Sequence, residues 1–463
     1  MKLKTSNSNW ILIFVAILTA VGGFLRFYNI SYNSIWGDEL YTLMFAETSL
    51  INIWSSFATD CHPPLFYWFE HIILQFGTSE LHLRFIPALA GTLTIPLVFI
   101  VFRQIVSDIS SLIITTFVAL SKFHIYYSQD ARMYTLWLFV FMISLYYYFK
   151  ATHKPHDAIS WAMFGITSGI CMWVHFYAGL FFVLLLSHAC FIFRKNIYDI
   201  SKKLQICLIS FFVVIITLIP AMIQIFTDRT SIPPWFGYTG VWVVHGVIYE
   251  FLGNYSMLIY LLSATFVLGC LIMWFNNRKQ LAFVAFILIF SFVASIYYSY
   301  KMPMVGRYLI PILPIFYIPI AATFEKFYVI FEKIHKNLGI LIFIIIIIIN
   351  APLLGLYHTT HSKEDLRGLS EYVSEISNDG DYLVLLTDGM VFRYYYNNTT
   401  DKTILYPSCT LDDLIKLNYT RGSTPMIIMP PYNKTALQPE MDWIYTNHKK
   451  IYTFGNEIYI YKL

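Results

Sequence analysis

The chain has 463 residues, of which 57% are hydrophobic and 13% are charged. An average soluble protein has about 25% charged residues, so this chain lacks the charge needed to cover a soluble surface, and its mean hydropathy is +0.60. The net charge of +4 is too small to indicate a nucleic-acid-binding protein. These quantities exclude a soluble protein and predict an integral membrane protein.

Apolar runs of the length that crosses a bilayer, about 20 residues, occur about eleven times along the chain. They lie near Trp10–Tyr28, Phe85–Phe102, Ser110–Tyr127, Met133–Phe149, Ala158–Phe176, Tyr177–Phe193, Leu204–Phe226, Tyr255–Phe275, Leu281–Tyr300, Tyr308–Phe324 and Leu338–Leu356. Most basic residues between the runs fall in alternate loops, which predicts a cytoplasmic N-terminus and an extracytoplasmic tail. The first run is long for a signal peptide, so we interpret it as a retained anchor.

Three segments are then expected outside the membrane: Asn29–Arg84, Thr227–Asn254 and Tyr357–Leu463. The first contains two short amphipathic stretches, Asp38–Phe45 and Pro64–Phe76, which predict helices lying at the membrane interface. The tail has the composition of a soluble protein. It alternates strand-like runs (Tyr382–Leu386, Pro425–Met429, Ile451–Phe454, Glu457–Tyr461) with helix-like runs (Glu364–Ile376, Leu411–Leu417). The sequence therefore predicts an all-α polytopic membrane domain, 1–356, followed by a small α/β extracytoplasmic domain, 357–463.

Charged residues gather at the predicted outer ends of the spans. They lie in Trp36-Gly37-Asp38-Glu39, in Asp60-Cys61-His62-Pro63-Pro64 with Arg84, in Gln129-Asp130-Ala131-Arg132, and in Lys301 with Arg307-Tyr308. Each single charge has a simpler interpretation, in which the side chain extends into the lipid headgroups. Three of these segments carry acids as well as basic residues, and charge in a membrane is costly. We therefore expect an outward cavity that contains both.

Acids and arginines at an outer membrane face suit sugar transfer from a polyprenyl phosphate. The acceptor hydroxyl needs a base to remove its proton, and arginine forks match the geometry of a departing phosphate. A transporter or flippase also needs a polar cavity and is the alternative function, although it would typically have internal repeats and none is evident. A structural scaffold would not account for the clustered charges.

The same segments resemble the GT-C superfamily, which includes protein O-mannosyltransferases and bacterial lipid A aminoarabinose transferases. The resemblance extends over about residues 10–320. It rests on Trp36-Gly37-Asp38-Glu39, Asp60-Cys61-His62-Pro63-Pro64-Leu65, the stretch from Leu83 to Gly91, the stretch from Tyr126 to Tyr134, and Arg307-Tyr308-Leu309-Ile310-Pro311, in that order. It implies a GT-C fold and an inverting transfer from a dolichyl- or undecaprenyl-phosphate sugar.

For the acidic pair, the resemblance implies that Asp38 is the general base and Glu39 its catalytic neighbour. Adjacent helix positions point about 100° apart, so only one acid is expected to face the acceptor directly. The alternative for Asp38 is an acid that stabilises the start of a helix. Trp36, Asp60 and His62 are expected in the active-site loop.

The remaining candidates are expected to bind the donor phosphate or sugar. They are Arg84, Arg132, Arg307, Tyr308, Gln129 and Asp130. Some members of the superfamily bind a divalent metal through an acid and a histidine, which makes Asp60, His62 and His175 candidate ligands; the alternative for His175 is a structural hydrogen bond. The expected partners are a polyprenyl-phosphate-linked sugar, membrane lipid, and an acceptor that is a protein, a lipid or a polysaccharide.

Overall fold

The computed structural model describes residues 9–60, 62–220, 222–223, 237–359 and 363–376, with the side chains of 56–60 excepted. Further along the tail it describes residues 382–385, 389–396, 403–405, 412, 425–428, 442–443, 446, 450–454 and 458–462.

Helices dominate the described membrane part, and a helix lies at the position of every predicted span. They are α1 Asn9–Phe27, α2 Gly37–Ala46, α3 Leu50–Asp60, α4 Leu65–Leu74, α5 Glu80–Leu83, α6 Phe85–Phe102, α7 Asp108–Leu120, α8 Lys122–Ser128, α9 Tyr134–His153, α10 Ala158–Val174, α11 Ala178–Ile192, α12 Ile197–Ile215, α13 Trp242–Phe251, α14 Ser256–Asn276, α15 Arg278–Tyr298, α16 Leu313–Ile334, α17 Ile340–Thr359, α18 Leu366–Ile376 and α19 Gly389–Tyr395. Short 3-10 helices lie at Ile216–Leu218 and Gly306–Ile312.

Among the described residues, seven helices are long and apolar enough to cross a membrane, or eight if the bent pair α7–α8 is one span. Three further apolar helices, α4, α10 and α11, are shorter. The chain is therefore an integral, multi-pass membrane protein, and the predicted number of about eleven crossings is not confirmed. Helices lie at both stretches predicted to be interfacial, as α2 and α4, whereas α3 and α13 were not predicted.

The third predicted span is broken at Ser121, where α7 and α8 meet at 55°. Ser121 caps α8 by accepting a hydrogen bond from the N–H of His124. Arg26, fully buried near the end of α1, donates to the carbonyls of Val118 and Ala119 at 3.1 Å each and to Nδ1 of His124 at 2.6 Å. Carbonyls at a helix end lack intrahelical partners, so Arg26 stabilises the break that leads the chain into Gln129–Arg132.

Glycines let two pairs of spans pack with their backbones almost in contact. A Cβ at Gly165 of α10 would lie 2.2 Å from the Cys207 carbonyl of α12. A Cβ at Gly269 of α14 would lie 1.8 Å from the Pro319 carbonyl of α16. Small residues at such positions are the usual means of close helix packing in membranes.

The chain divides into two compact units. The first comprises Met1–Ile30 and Phe45–His358, and the second comprises Ser31–Met44 and Thr359–Leu463. The short segment Ser31–Met44, which follows the first span and carries Asp38 and Glu39, therefore groups with the tail rather than with the spans.

The second unit contains a five-stranded sheet with strand order β2-β1-β3-β5-β4. The strands are β1 Tyr382–Leu385, β2 Thr403–Leu405, β3 Pro425–Ile428, β4 Lys450–Phe454 and β5 Ile458–Lys462. The β1 strand pairs in parallel with β2 and β3, and the β3–β5 and β4–β5 pairs are antiparallel. All strands except β2 lie within one residue of a predicted run. Of the predicted helix Leu411–Leu417, all residues but Asp412 lie outside the described part.

Candidate active site

The acidic pair lies in the first turn of α2, in the second unit. The carbonyl of Trp36 accepts the backbone N–H groups of Glu39 and Leu40 at 2.9 Å each, so Trp36 immediately precedes the helix. Glu39 is fully buried, whereas Asp38 is partly exposed. The two acids therefore have different surroundings, as helix geometry requires of adjacent positions, and Asp38 is the accessible one.

Glu39 is paired with a residue from the tail. Its Oε1 atom lies 3.0 Å from Nζ of Lys363, and the two side chains are 0% and 5% exposed. The Lys363 ammonium also lies 5.6 Å from the ring centroid of Trp36. Lys363, for which the sequence predicted no role, therefore contacts two of the predicted site residues.

In the first unit, the structure brings together two motifs that are 70 residues apart in the chain. Arg132, 4% exposed, donates from Nη2 to Nε2 of His62 at 3.1 Å and from Nη1 to the hydroxyl of Tyr67 at 3.5 Å. A guanidinium has no acceptor, so Nε2 of His62 must accept, and a neutral His62 carries its proton on Nδ1. Arg132 is thereby oriented by Tyr67 of α4 and by His62, three residues before the start of that helix.

Arg307 lies in the 3-10 helix Gly306–Ile312 and faces aromatic rings. Its guanidinium carbon is 5.5 Å from the centroid of Tyr134 and 5.8 Å from that of Tyr308. The rings of Tyr134, Tyr308 and His175 form a cluster with centroids 5.7 to 6.3 Å apart. Contacts of this kind orient a guanidinium without neutralising its charge.

Glu250 of α13 fixes the turn that carries Arg307. Burial raises the pKa of Glu250, while hydrogen bonds from the Tyr238 hydroxyl and the Gly306 N–H and the charge of Arg307 act in the opposite direction. A Cβ at Gly306 would lie 2.2 Å from Oε2 of Glu250, so this contact requires glycine. Sequence reasoning assigned no role to Glu250, because its partner lies 56 residues further along the chain.

The other predicted phosphate-binding residues have contacts within the fold. The Gln129 amide donates to the carbonyls of Arg26 and Tyr28 at 3.0 and 2.8 Å, and its oxygen accepts from the Tyr357 hydroxyl at 2.8 Å. Because the amide nitrogen has two N–H groups and both donate to these carbonyls, we expect Gln129 to hold the end of α1 rather than to bind phosphate. Arg84 is 1% exposed and donates to the Ile30 carbonyl at 2.7 Å, and Asp130 is fully buried.

The candidate metal ligands do not form a metal centre in the part of the chain that the structure describes, which contains no group of three or more His, Cys, Asp or Glu suited to one. The side chain of Asp60 and the whole of Cys61 lie outside that part. His62 uses Nε2 to accept from Arg132, and His175 uses Nδ1 to accept from the Tyr177 N–H at 3.1 Å. His175 also stacks on Trp137, with ring centroids 4.3 Å apart.

An open apolar groove of about 490 Å³ lies in the first unit. Its lining residues are Leu50, Ile51, Trp54, Trp68, Trp173 and Thr217. The rings of Trp54 and Trp173 are stacked, with centroids 5.6 Å apart. Trp68 directly follows Tyr67, and Trp173 lies two residues before His175, so the groove shares α4 and the end of α10 with the Arg132 and Arg307 clusters.

Part of the chain is similar in sequence to known proteins. The family described as dolichyl-phosphate-mannose-protein mannosyltransferase matches residues 61–224, which include His62, Arg84, Arg132 and His175. An uncharacterized protein of Aquifex aeolicus (strain VF5) is 25% identical over 146 residues, 30% of this chain. The match spans 29% of that relative's own length.

Three solved structures have the same fold over most of the chain. ArnT from Cupriavidus metallidurans in the apo state has a TM-score of 0.58 at 11% identity, covering 98% of this chain and 97% of its own. The same protein bound to undecaprenyl phosphate has a TM-score of 0.57 at 11% identity, covering 99% and 98%. The apo oligosaccharyltransferase of Archaeoglobus fulgidus has a TM-score of 0.54 at 10% identity, covering 94% and 71%. The chain therefore has the GT-C fold, and the resemblance to the GT-C glycosyltransferases predicted from its sequence is confirmed.

Proposed function

We propose that the protein transfers a sugar from a polyprenyl-phosphate carrier to an acceptor hydroxyl at the outer membrane face. The observation that carries this proposal is the placement of Arg132 and Arg307. Arg132 is oriented by His62 and Tyr67, and Arg307 by the rings of Tyr134 and Tyr308. Oriented guanidiniums beside lipid are what a carrier phosphate requires.

The reaction is a single displacement at the anomeric carbon. The acceptor oxygen forms a bond to that carbon while the bond from the carbon to the phosphate oxygen breaks, so the configuration inverts. A base takes the acceptor's proton, and the polyprenyl phosphate leaves with the bonding pair. In this scheme Asp38 is the base, and Arg132 and Arg307 stabilise the charge that builds up on the phosphate.

The environment of each acid supports assigning the base to Asp38. Glu39 is buried in an ion pair with Lys363, whereas Asp38 is partly exposed. A carboxylate held by an ammonium at 3.0 Å is a poor proton acceptor. Glu39 therefore serves in orienting the helix rather than in removing the proton.

The apolar groove supports a lipid carrier. A polyprenyl chain needs an apolar channel, and the indoles of Trp54, Trp68 and Trp173 line an apolar groove. The groove is formed in part by α4, which also carries Tyr67, and by α10, which ends before His175. The bound undecaprenyl phosphate of the ArnT structure is consistent with such a carrier here. The donor sugar stays open, as does the choice among a protein, a lipid or a surface glycan as acceptor.

The test is complementation of a deletion strain, with envelope glycans and lipids measured by mass spectrometry. We expect the wild type to restore a sugar modification and Asp38→Asn to reduce it by about 10²- to 10⁴-fold, the usual contribution of a positioned base. Glu47→Gln is the matched control, because Glu47 is an exposed acid just beyond the other end of α2 and should retain full activity.

Two results would contradict the proposal. Near-wild-type modification by Asp38→Asn, at equal expression, would remove Asp38 as the base. Movement of a lipid-linked sugar across vesicles by the purified protein, with no transfer product in the deletion and complementation comparison, would favour the alternative function as a flippase.

A further inference from the structure

The start of the tail makes a series of polar contacts with the segment that leads into the acidic pair. Arg367 donates from Nη2 to the carbonyls of Ser31 and Tyr32 at 3.1 and 3.0 Å. The Ser34 hydroxyl donates to Oδ1 of Asp365 at 3.1 Å and accepts from the Arg367 N–H at 3.1 Å. These residues are more than 330 positions apart in the chain.

We call Lys363, Asp365, Arg367 and Tyr395 the clasp. Two further contacts extend it to the start of α2. The Tyr395 hydroxyl accepts the N–H of Ile35 at 2.8 Å. Lys363 then pairs with Glu39 and lies against Trp36. The clasp thus contacts residues 31, 32, 34, 35, 36 and 39, the last of which is next to Asp38.

The ion pair between Lys363 and Glu39 is better suited to orienting the first turn of α2 than to stabilising the fold. Burying two charges costs several kcal/mol for each ion, and their attraction only offsets that cost when both partners are present. A buried pair at one position of the first helical turn fixes the rotation of that turn, and with it the direction of the neighbouring Asp38 side chain. Catalytic groups need such support to within about 0.5 Å.

We propose that the clasp is a positioning device for the base, with Lys363 acting through Glu39 as its central residue. This inference rests on the proposed function of Asp38 and gives the tail a defined part in the reaction. The tail is then part of the catalytic apparatus rather than an accessory domain.

The test measures sugar transfer and carrier binding separately in Lys363→Met. This change keeps most of the length of the side chain and removes its charge. We expect sugar transfer in the complementation assay to fall by about 10- to 100-fold, because displacement of a reacting group by about 1 Å costs up to 10²-fold. The affinity of the purified protein in nanodiscs for undecaprenyl phosphate should change less than twofold. Lys301→Met is the matched control, because Lys301 is an exposed lysine whose ammonium contacts Tyr297.

A double variant tests whether Lys363 acts through Glu39. Combined with Glu39→Gln, Lys363→Met should lose little more activity than either change alone, because residues that act as one pair are not additive. Exchanging the two charges, Glu39→Lys with Lys363→Glu, should recover part of the lost transfer. Fully additive losses would overturn the assignment.

The remaining outcomes distinguish failure of this inference from failure of the proposed function. Wild-type transfer by folded Lys363→Met overturns the inference while leaving the proposed function intact, provided that Asp38→Asn is inactive. Absence of transfer by the wild type contradicts the proposed function itself. If Lys363→Met does not fold, Glu39→Asp decides instead: it retains the charge but shortens the reach, so reduced transfer supports the clasp and wild-type transfer overturns it.

Discussion

The candidate site residues of the two units are held in different ways. In the first unit, Arg132 and Arg307 are oriented by an imidazole, a hydroxyl and aromatic rings. In the second, Glu39 is compensated by Lys363, and Asp38 beside it is partly exposed. Hydrogen bonds and ring contacts orient the two guanidiniums, whereas an ion pair holds one acid beside the other. If the arginines bind the carrier and Asp38 removes the proton, as proposed, variants should affect the two steps separately.

The largest expected effect on carrier binding comes from the arginines. Arg132→Ala and Arg307→Ala should each weaken undecaprenyl phosphate binding by about 10- to 100-fold, because a hydrogen bond to a charged group contributes about 1.5–3 kcal/mol. Titration of the purified protein in nanodiscs measures this. The control is Arg103→Ala, since Arg103 pairs with Asp108 beside the start of α7. Unchanged affinity in both variants would contradict this difference between the two units, because the first unit would then not bind the carrier.

A smaller effect is expected from Glu250, which acts only through the Arg307 turn. Glu250→Leu removes the acceptor for Tyr238 and the Gly306 N–H and should weaken carrier binding by about fivefold, corresponding to about 1 kcal/mol. The same titration measures it. When Arg307→Ala is already present, Glu250→Leu should cause no further loss of carrier affinity. A further loss would mean that Glu250 acts on the ligand by another route.

The smallest expected effect on carrier binding is that of Gln129. Gln129→Met should leave undecaprenyl phosphate affinity within twofold of the wild type. It should lower the melting temperature, because two carbonyls at the end of α1 lose their donors at a cost of about 1–3 kcal/mol each. Gln75→Met, at an exposed position after α4, is the control for stability. A tenfold loss of affinity would show instead that Gln129 contributes to phosphate binding.

The sequence predicted the positions of helices and motifs well, because both are local properties. Apolar runs locate spans directly, and the motif containing Arg132 is continuous in the chain. The break at Ser121 was not predicted, because the apolar run continues across it from Ser110 to Tyr127. Two spans were also predicted longer than the helices α10 and α11, since apolar loop residues extend the runs at their ends.

Residues whose roles depend on distant partners could not be predicted. Lys363 and Glu39 are 324 positions apart, and Arg26 contacts carbonyls more than 90 positions away. No periodicity or spacing in a single sequence indicates such pairs. The same applies to Gln129: it lies within a recognisable motif, but its hydrogen bonds go to the end of α1. Membership of a motif and contact with a ligand are therefore separate properties.

The buried Arg26 has a consequence for how the protein is made. Helix α1 enters the membrane before Val118, Ala119 and His124 have been synthesised, so the guanidinium initially lacks the partners it has in the final structure. A charge at the end of a helix can meanwhile remain at the headgroup level. We expect α1 to settle only after the bent pair α7–α8 has been inserted, so that assembly of this chain follows the order in which these helices leave the ribosome.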